Sequence, residues 1–159
     1  PANGGWVEVR EDANGGYGHL KWIRLPFDDY NDANGEVHPA TGDLDGDGSE
    51  EIVLGLGTYP ANGGWVEVRE GAAGGYNHLK WIRVPFGAYN EANGATWPAT
   101  GDVDGDNSDE ILLGLGAFPA DGGWFEFRED AAGGFAHTSW GHADDSADGE
   151  TRPAAVRAP

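Results

Sequence analysis

Asp43, Asp45, Asp47, Ser49 and Glu51 occupy alternate positions of one nine-residue stretch, and Asp102, Asp104, Asp106, Ser108 and Glu110 repeat that spacing. Carboxylates at positions 1, 3 and 5 of a tight loop converge on a point, and glycine or asparagine at position 6 (Gly48, Asn107) permits the left-handed bend this requires. Position 7 can offer its carbonyl and the acid at position 9 can close the shell. Hard oxygen donors without histidine or cysteine favour Ca²⁺ over zinc or copper, and Mg²⁺ prefers fewer protein ligands. Two Ca²⁺ sites are therefore expected. An EF-hand is disfavoured, because its position 12 needs a bidentate glutamate where this chain has Leu54 and Leu113. Five acids crowd each nine-residue loop, so ten of the 28 acidic side chains sit in two short segments that repel themselves unless a cation intervenes.

Other chemistry is sparse. His19, His78 and His137 recur at one position of an internal repeat, and Trp22, Trp81 and Trp140 at another. One histidine per repeat reads as a packing or hydrogen-bonding residue, and the tryptophans read as core. The alternative is a carbohydrate-binding surface built from Trp22, Trp81, His19 and His78, since aromatic faces beside carboxylates suit sugars. Lys21 and Arg24 are expected to form cross-strand ion pairs with Glu8 and its neighbours. Ser49, Ser108, Ser139 and Ser146 stand in no nucleophile motif, and the Gly-Gly pairs lead into strands rather than helix N-termini. No enzymatic role is expected.

These residues are positioned by a repeat of 59 residues. Pro1-Ala-Asn-Gly-Gly-Trp6-Val-Glu-Val-Arg10 returns at Pro60–Arg69 and, with small changes, at Pro119–Arg128. Residues 1–59 and 60–118 match at 43 of 59 positions without insertion. The third copy, 119–159, fades after Trp140, reads as shortened by four residues, and realigns where Gly149-Glu-Thr-Arg-Pro153 resembles Gly35-Glu-Val-His-Pro39. It contains no acidic loop of this type, so no third site is expected there.

Each copy reads as short strands. Trp6–Arg10 alternates, with Val7 and Val9 opposite Trp6, Glu8 and Arg10; Leu20–Leu25, Val37–Gly42 and Ile52–Leu56 follow, with room for a turn or two of helix over 85–94. Four short strands per repeat, in tandem, imply an all-β chain of four-stranded antiparallel blades of β-propeller type. About 2.7 repeats are present, where a closed ring takes about 4–8 blades. The segments 1–59, 60–118 and 119–159 are then one blade without its first strand, one full repeat and one truncated repeat. The incomplete ring calls for self-association or the remainder of a longer parent chain.

Gly42-Asp-Leu-Asp-Gly-Asp-Gly-Ser-Glu-Glu-Ile-Val-Leu-Gly55 resembles the FG-GAP or VCBS repeat, the calcium-loop blade of integrin-alpha-type β-propellers and many secreted bacterial proteins. The resemblance implies Ca²⁺ ligands at Asp43, Asp45, Asp47, the Ser49 carbonyl and Glu51, and at Asp102, Asp104, Asp106, the Ser108 carbonyl and Glu110. It further implies a structural ion that ties the last strand of one blade to the first of the next.

Composition sets outer bounds. A formal charge of −19 repels nucleic-acid phosphate, and the absence of cysteine removes disulfides and thiolate chemistry. No apolar run approaches the ~20 residues needed to cross a bilayer. The chain opens on Pro1, inside the repeat and without an initiator methionine, which reads as a piece of a longer product. The resulting expectation is a non-catalytic, calcium-stabilised, secreted or cell-surface protein with a structural or adhesive role, and glycan binding is the alternative.

Overall fold

The computed structural model describes residues 3–118, 122–143 and 149–154. The opening of the third copy (119–121), the site of its four-residue shortening including Ser146 (144–148), and residues 155–159 lie outside the described residues. The described chain is all-β. Its elements run β1 (Trp6–Arg10), β2 (His19–Arg24), α1 (Asp28–Ala33), β3 (Val37–Gly42), β4 (Glu51–Leu56), β5 (Trp65–Arg69), β6 (His78–Arg83), α2 (Gly87–Ala92), β7 (Thr96–Gly101), β8 (Glu110–Leu115), β9 (Trp124–Arg128) and β10 (His137–His142). They form one two-stranded sheet, β1-β2, and two four-stranded sheets, β3-β4-β5-β6 and β7-β8-β9-β10. No helix among the described residues is long and apolar enough to cross a membrane.

The chain divides into two compact units, Pro1–Val37 and His38–Pro159. In the first, alternation in β1 pairs Val7 with Ile23 and Glu8 with Trp22, and the register shifts between Val9 and Arg10. Lys21 pairs with Val9 and so lies on the face opposite Glu8, while Arg24 bonds Asp28 at 2.7 Å. The partners that Glu8 takes are Arg10 and His19, at 2.9 and 3.1 Å. Helix α1 has only six residues and no side-chain N-cap. Such a short helix is held by tertiary bonds rather than propensity: fully buried Tyr30 donates its hydroxyl to the Glu36 carbonyl, and Asn31 Nδ2 donates to the Leu25 carbonyl at 2.7 Å. Helix α2 repeats this with Tyr89 to Ala95 and Asn90 to Val84.

In the second unit the two four-stranded sheets are copies offset by one repeat, and they pack face to face. Register pairs Val53 with Val68, and Val66 with both Gly55 and Ile82, so the valines of β4 and β5 share one face with Ile82. That face meets Ile111, Leu113 and Leu115 of β8 in one hydrophobic cluster, with Trp124 and Trp140 packed at its border. The cluster accounts for the apolar residues on one face of each strand, Val53 on β4 and Ile111, Leu113 and Leu115 on β8.

The acidic loops sit differently from expectation. The loop after Gly42 joins β3 to β4, which are neighbours in one sheet, and the loop after Gly101 joins β7 to β8 in the next. Each loop is thus an intra-sheet connection and does not bridge the last strand of one sheet and the first of another. The physical reason is that β3 and β7 are the edge strands of their sheets: small residues and a proline on each, Pro39 and Pro98, suit an edge and leave the apolar β4 and β8 inside.

Candidate metal centre

Each acidic loop is shaped by its own carboxylates. In the first, Asp43 Oδ2 accepts the Gly48 N–H at 3.0 Å, Asp45 Oδ1 the Asp47 N–H at 3.2 Å, Asp47 Oδ1 the Ser49 N–H at 2.7 Å, and Glu51 Oε2 the Leu44 N–H at 2.9 Å. The second loop repeats the set through Asp102 to Asn107, Asp104 to Asp106, Asp106 to Ser108 and Glu110 to Val103. The left-handed residues fall at positions 4 and 6: Gly46 (φ 73°) and Gly48 (φ 88°), then Gly105 (φ 88°) and Asn107 (φ 79°). Asparagine tolerates that region better than other side-chain-bearing residues, which is why Asn107 can replace glycine.

These bends gather Asp43, Asp45 and Glu51 so that one carboxylate oxygen from each lies within 4.8 Å of the others, and Asp102, Asp104 and Glu110 likewise. Glu51 and Glu110 are buried, and Asp45 and Asp104 are exposed, so each group opens to solvent on one side. Asp47 and Ser49 line the same pocket of about 170 Å³ as Asp45 and Glu51, with the β5–β6 turn residues Glu70 and Gly74 opposite. Burial pushes the Glu51 carboxyl above its ordinary 4.5, the Leu44 N–H opposes this, and the charges of Asp45, Asp47 and Asp43 add to it; Glu110 is raised by the same causes. Buried carboxylates with raised pKa among like charges are groups that a cation would stabilise. Asp43 Oδ1 is in addition buried with no hydrogen-bond partner. The donor set and this orphaned oxygen fit a hard divalent ion.

One contributor escapes the local spacing. Asp106, Glu110 and Asp130 also bring carboxylate oxygens within 4.8 Å of one another. Asp130, on the β9–β10 turn, is 5 % exposed, and its Oδ1 accepts the Gly133 N–H at 2.8 Å. Its counterpart beside the first loop is Gly71, where a Cβ would stand 2.5 Å from the Glu50 carbonyl oxygen. The two centres therefore differ by one carboxylate. Aligning the copies exposes the substitution, but the loop's own spacing does not.

The histidines and tryptophans form a second repeated set. His19, His78 and His137 place Nδ1 3.1, 3.0 and 2.9 Å from Glu8, Glu67 and Glu126, whose Oε1 atoms also take Arg10, Arg69 and Arg128 at 2.8–2.9 Å. Trp22 and Trp81 meet Trp6 and Trp65 edge to face at 6.3 Å, and lie 5.6 Å from the rings of His19 and His78. Each residue of the carbohydrate alternative is thus engaged within its own hairpin, and Trp22 alone of the four is a large exposed apolar group, at 53 %. Comparison with protein-family models, curated proteins and solved structures finds no match to this chain.

Proposed function

We propose that this chain is a non-catalytic, calcium-stabilised repeat protein of FG-GAP or VCBS type, its four-stranded sheets acting as propeller-type blades in a structural or adhesive role outside the cell. The observation that carries this reading is the acidic loop, built twice with the same internal hydrogen bonds and with its position-1, position-3 and position-9 carboxylates converging. Calcium suits seven or so hard oxygen donors in a flexible loop better than magnesium does. The blade arrangement is supported by the edge strands β3 and β7. The His38 ring stacks on Trp97 at 4.6 Å and the Arg152 guanidinium covers Trp97 at 5.4 Å, so three residues one repeat apart stand in a stack. Near-interchangeable units favour a scaffold over an enzyme, whose site would break the repeat at one place.

Calorimetric titration of chelator-treated protein with calcium tests the reading. Two binding steps are expected, and Asp130→Asn is expected to weaken one of them by about tenfold, the 1.4 kcal/mol scale of one lost charged contact, while sparing the other. Absence of saturable calcium binding would remove the proposal.

The carbohydrate alternative has one observation in its favour, a cleft of about 210 Å³ between Pro85, Phe86, Trp124 and Trp140. A saturable change in tryptophan fluorescence on adding sugars, lost in Trp140→Ala, is its test.

A further inference from the structure

Hairpins β9–β10 and β1–β2 are copies of each other with very different exposure. On β9–β10, Trp124 and Trp140 border the shared core, Arg128 Nη2 donates to the Arg83 carbonyl at 2.9 Å, Lys80 Nζ donates to the Gly134 carbonyl at 2.6 Å, and the Ala131 N–H reaches the Leu44 carbonyl at 2.9 Å. All of these join the hairpin to sheet β3–β6 or its loops. On β1–β2 the same face is built: Glu8 holds Arg10 and His19, and Trp6 meets Trp22 at the same 6.3 Å that separates Trp124 and Trp140. Yet Trp6, Trp22 and Tyr17 are 45, 53 and 61 % exposed, and the Arg10 side chain is 55 % exposed where that of Arg128 is 6 %.

The complementary surface is also found twice. Val53, Val66 and Val68 are fully buried in the core shared with β8, and Leu44 with them. Their counterparts on sheet β7–β10, Leu112, Phe125 and Phe127, are only half-buried, and Val103, the counterpart of Leu44, is 44 % exposed. A groove of about 400 Å³ lies on this face, lined by Leu112, Phe125, Ala143, Thr151 and Pro153.

We propose that the exposed face of β1–β2 docks on the open face of sheet β7–β10 of a second copy, head to tail. The packing of β9–β10 on β3–β6 within one chain is then reproduced between chains. One-repeat equivalence assigns the contacts: the Ala13 N–H to the Val103 carbonyl, Arg10 to the His142 carbonyl, and Trp6 and Trp22 along the border of the Leu112–Phe125 surface. Two different surfaces are joined, so each copy keeps one of each and the contact propagates. The proposal stands on sheet packing and holds whichever ion the loops bind.

Sedimentation velocity of the full chain over a range of concentrations, in calcium and in chelator, is the test. The wild type is expected to show a sedimentation coefficient that rises with concentration. Trp22→Asp, which spoils the head, and Phe127→Asp, which spoils the tail, are each expected to lose that rise. Their mixture is expected to form a 1:1 dimer that grows no further, because one intact head and one intact tail remain. Trp6→Asp and Leu112→Asp form a second pair should circular dichroism show either first variant unfolded. A wild type that stays monomeric, a mixture that stays monomeric, or a variant that associates like the wild type overturns the proposal. Calcium binding without association overturns this proposal alone, whereas association without calcium binding leaves it standing and removes the calcium reading.

Discussion

Glu51 and Glu110 bear the cost of the acidic loops when no cation is bound. Their carboxyls are raised above 4.5 by burial and by the neighbouring aspartates. A folded-state pKa above the unfolded value means that protonation favours the fold: the contribution is complete below about 4.5, the unfolded value, and is lost as pH rises through the raised folded pKa. In chelator, Glu51→Gln is therefore expected to raise the melting temperature at pH 7 and to flatten the gain seen on acidification. In calcium the same variant is expected to melt lower than wild type, because a ligand is gone. Equal effects in both conditions would contradict the site. A different residue-scale prediction concerns glycine. A Cβ on Gly94, at φ 70°, would stand 2.3 Å from the Gly63 Cα, and the pairs Gly4–Gly35 and Gly122–Gly149 meet in the same way. Gly94→Ala is expected to cost about 2 kcal/mol or more by denaturant unfolding, since both strain and overpacking apply. The alternate-acid spacing and the position-6 bend were legible in the sequence because both are local. Asp130 was not, because the β9–β10 turn brings it to the second loop through tertiary folding.

At the scale of elements, the loops do more than hold carboxylates. Leu44, at position 2 of the first loop, is fully buried in the core that joins the two sheets, while Val103 at the same position of the second loop is 44 % exposed. Leu44→Ala is expected to cost about 2–5 kcal/mol and Val103→Ala less than about 0.5 kcal/mol, measured at concentrations too low for association. Comparable losses would mean that the first loop does not anchor the core. The strands themselves were readable from alternation and from the apolar runs after each loop, and the short helix anticipated over 85–94 falls at Gly87–Ala92 with its repeat at Asp28–Ala33. What alternation could not reveal is the grouping of strands into sheets. Residues 37–42 and 51–56 look alike whether their connecting loop turns back within one sheet or crosses to the next, and only the hydrogen-bonding partners of β3 and β4 decide it.

At the scale of the whole molecule, repetition carries the account. Beyond the shortened stretch the third copy regains the repeat's bonding: Thr151 Oγ1 bonds the Leu115 N–H and the Trp124 carbonyl at 2.9 and 2.6 Å, as Thr96 Oγ1 bonds Leu56 and Trp65 at 3.1 Å each. Matching Gly149 to Gly35 by sequence thus identified the right residues, because a touching glycine pair and a bonded threonine leave few alternatives. On the reading proposed above, bound calcium holds these repeated loops in their folded form. Thermal melting in calcium and in chelator measures it directly. At calcium a hundredfold above its Kd each site adds about 2.7 kcal/mol, and each kcal/mol shifts the Tm of a chain this size by about 2–4 °C. A Tm roughly 10–20 °C higher in calcium than in chelator is expected, and an unchanged Tm would contradict stabilisation by calcium.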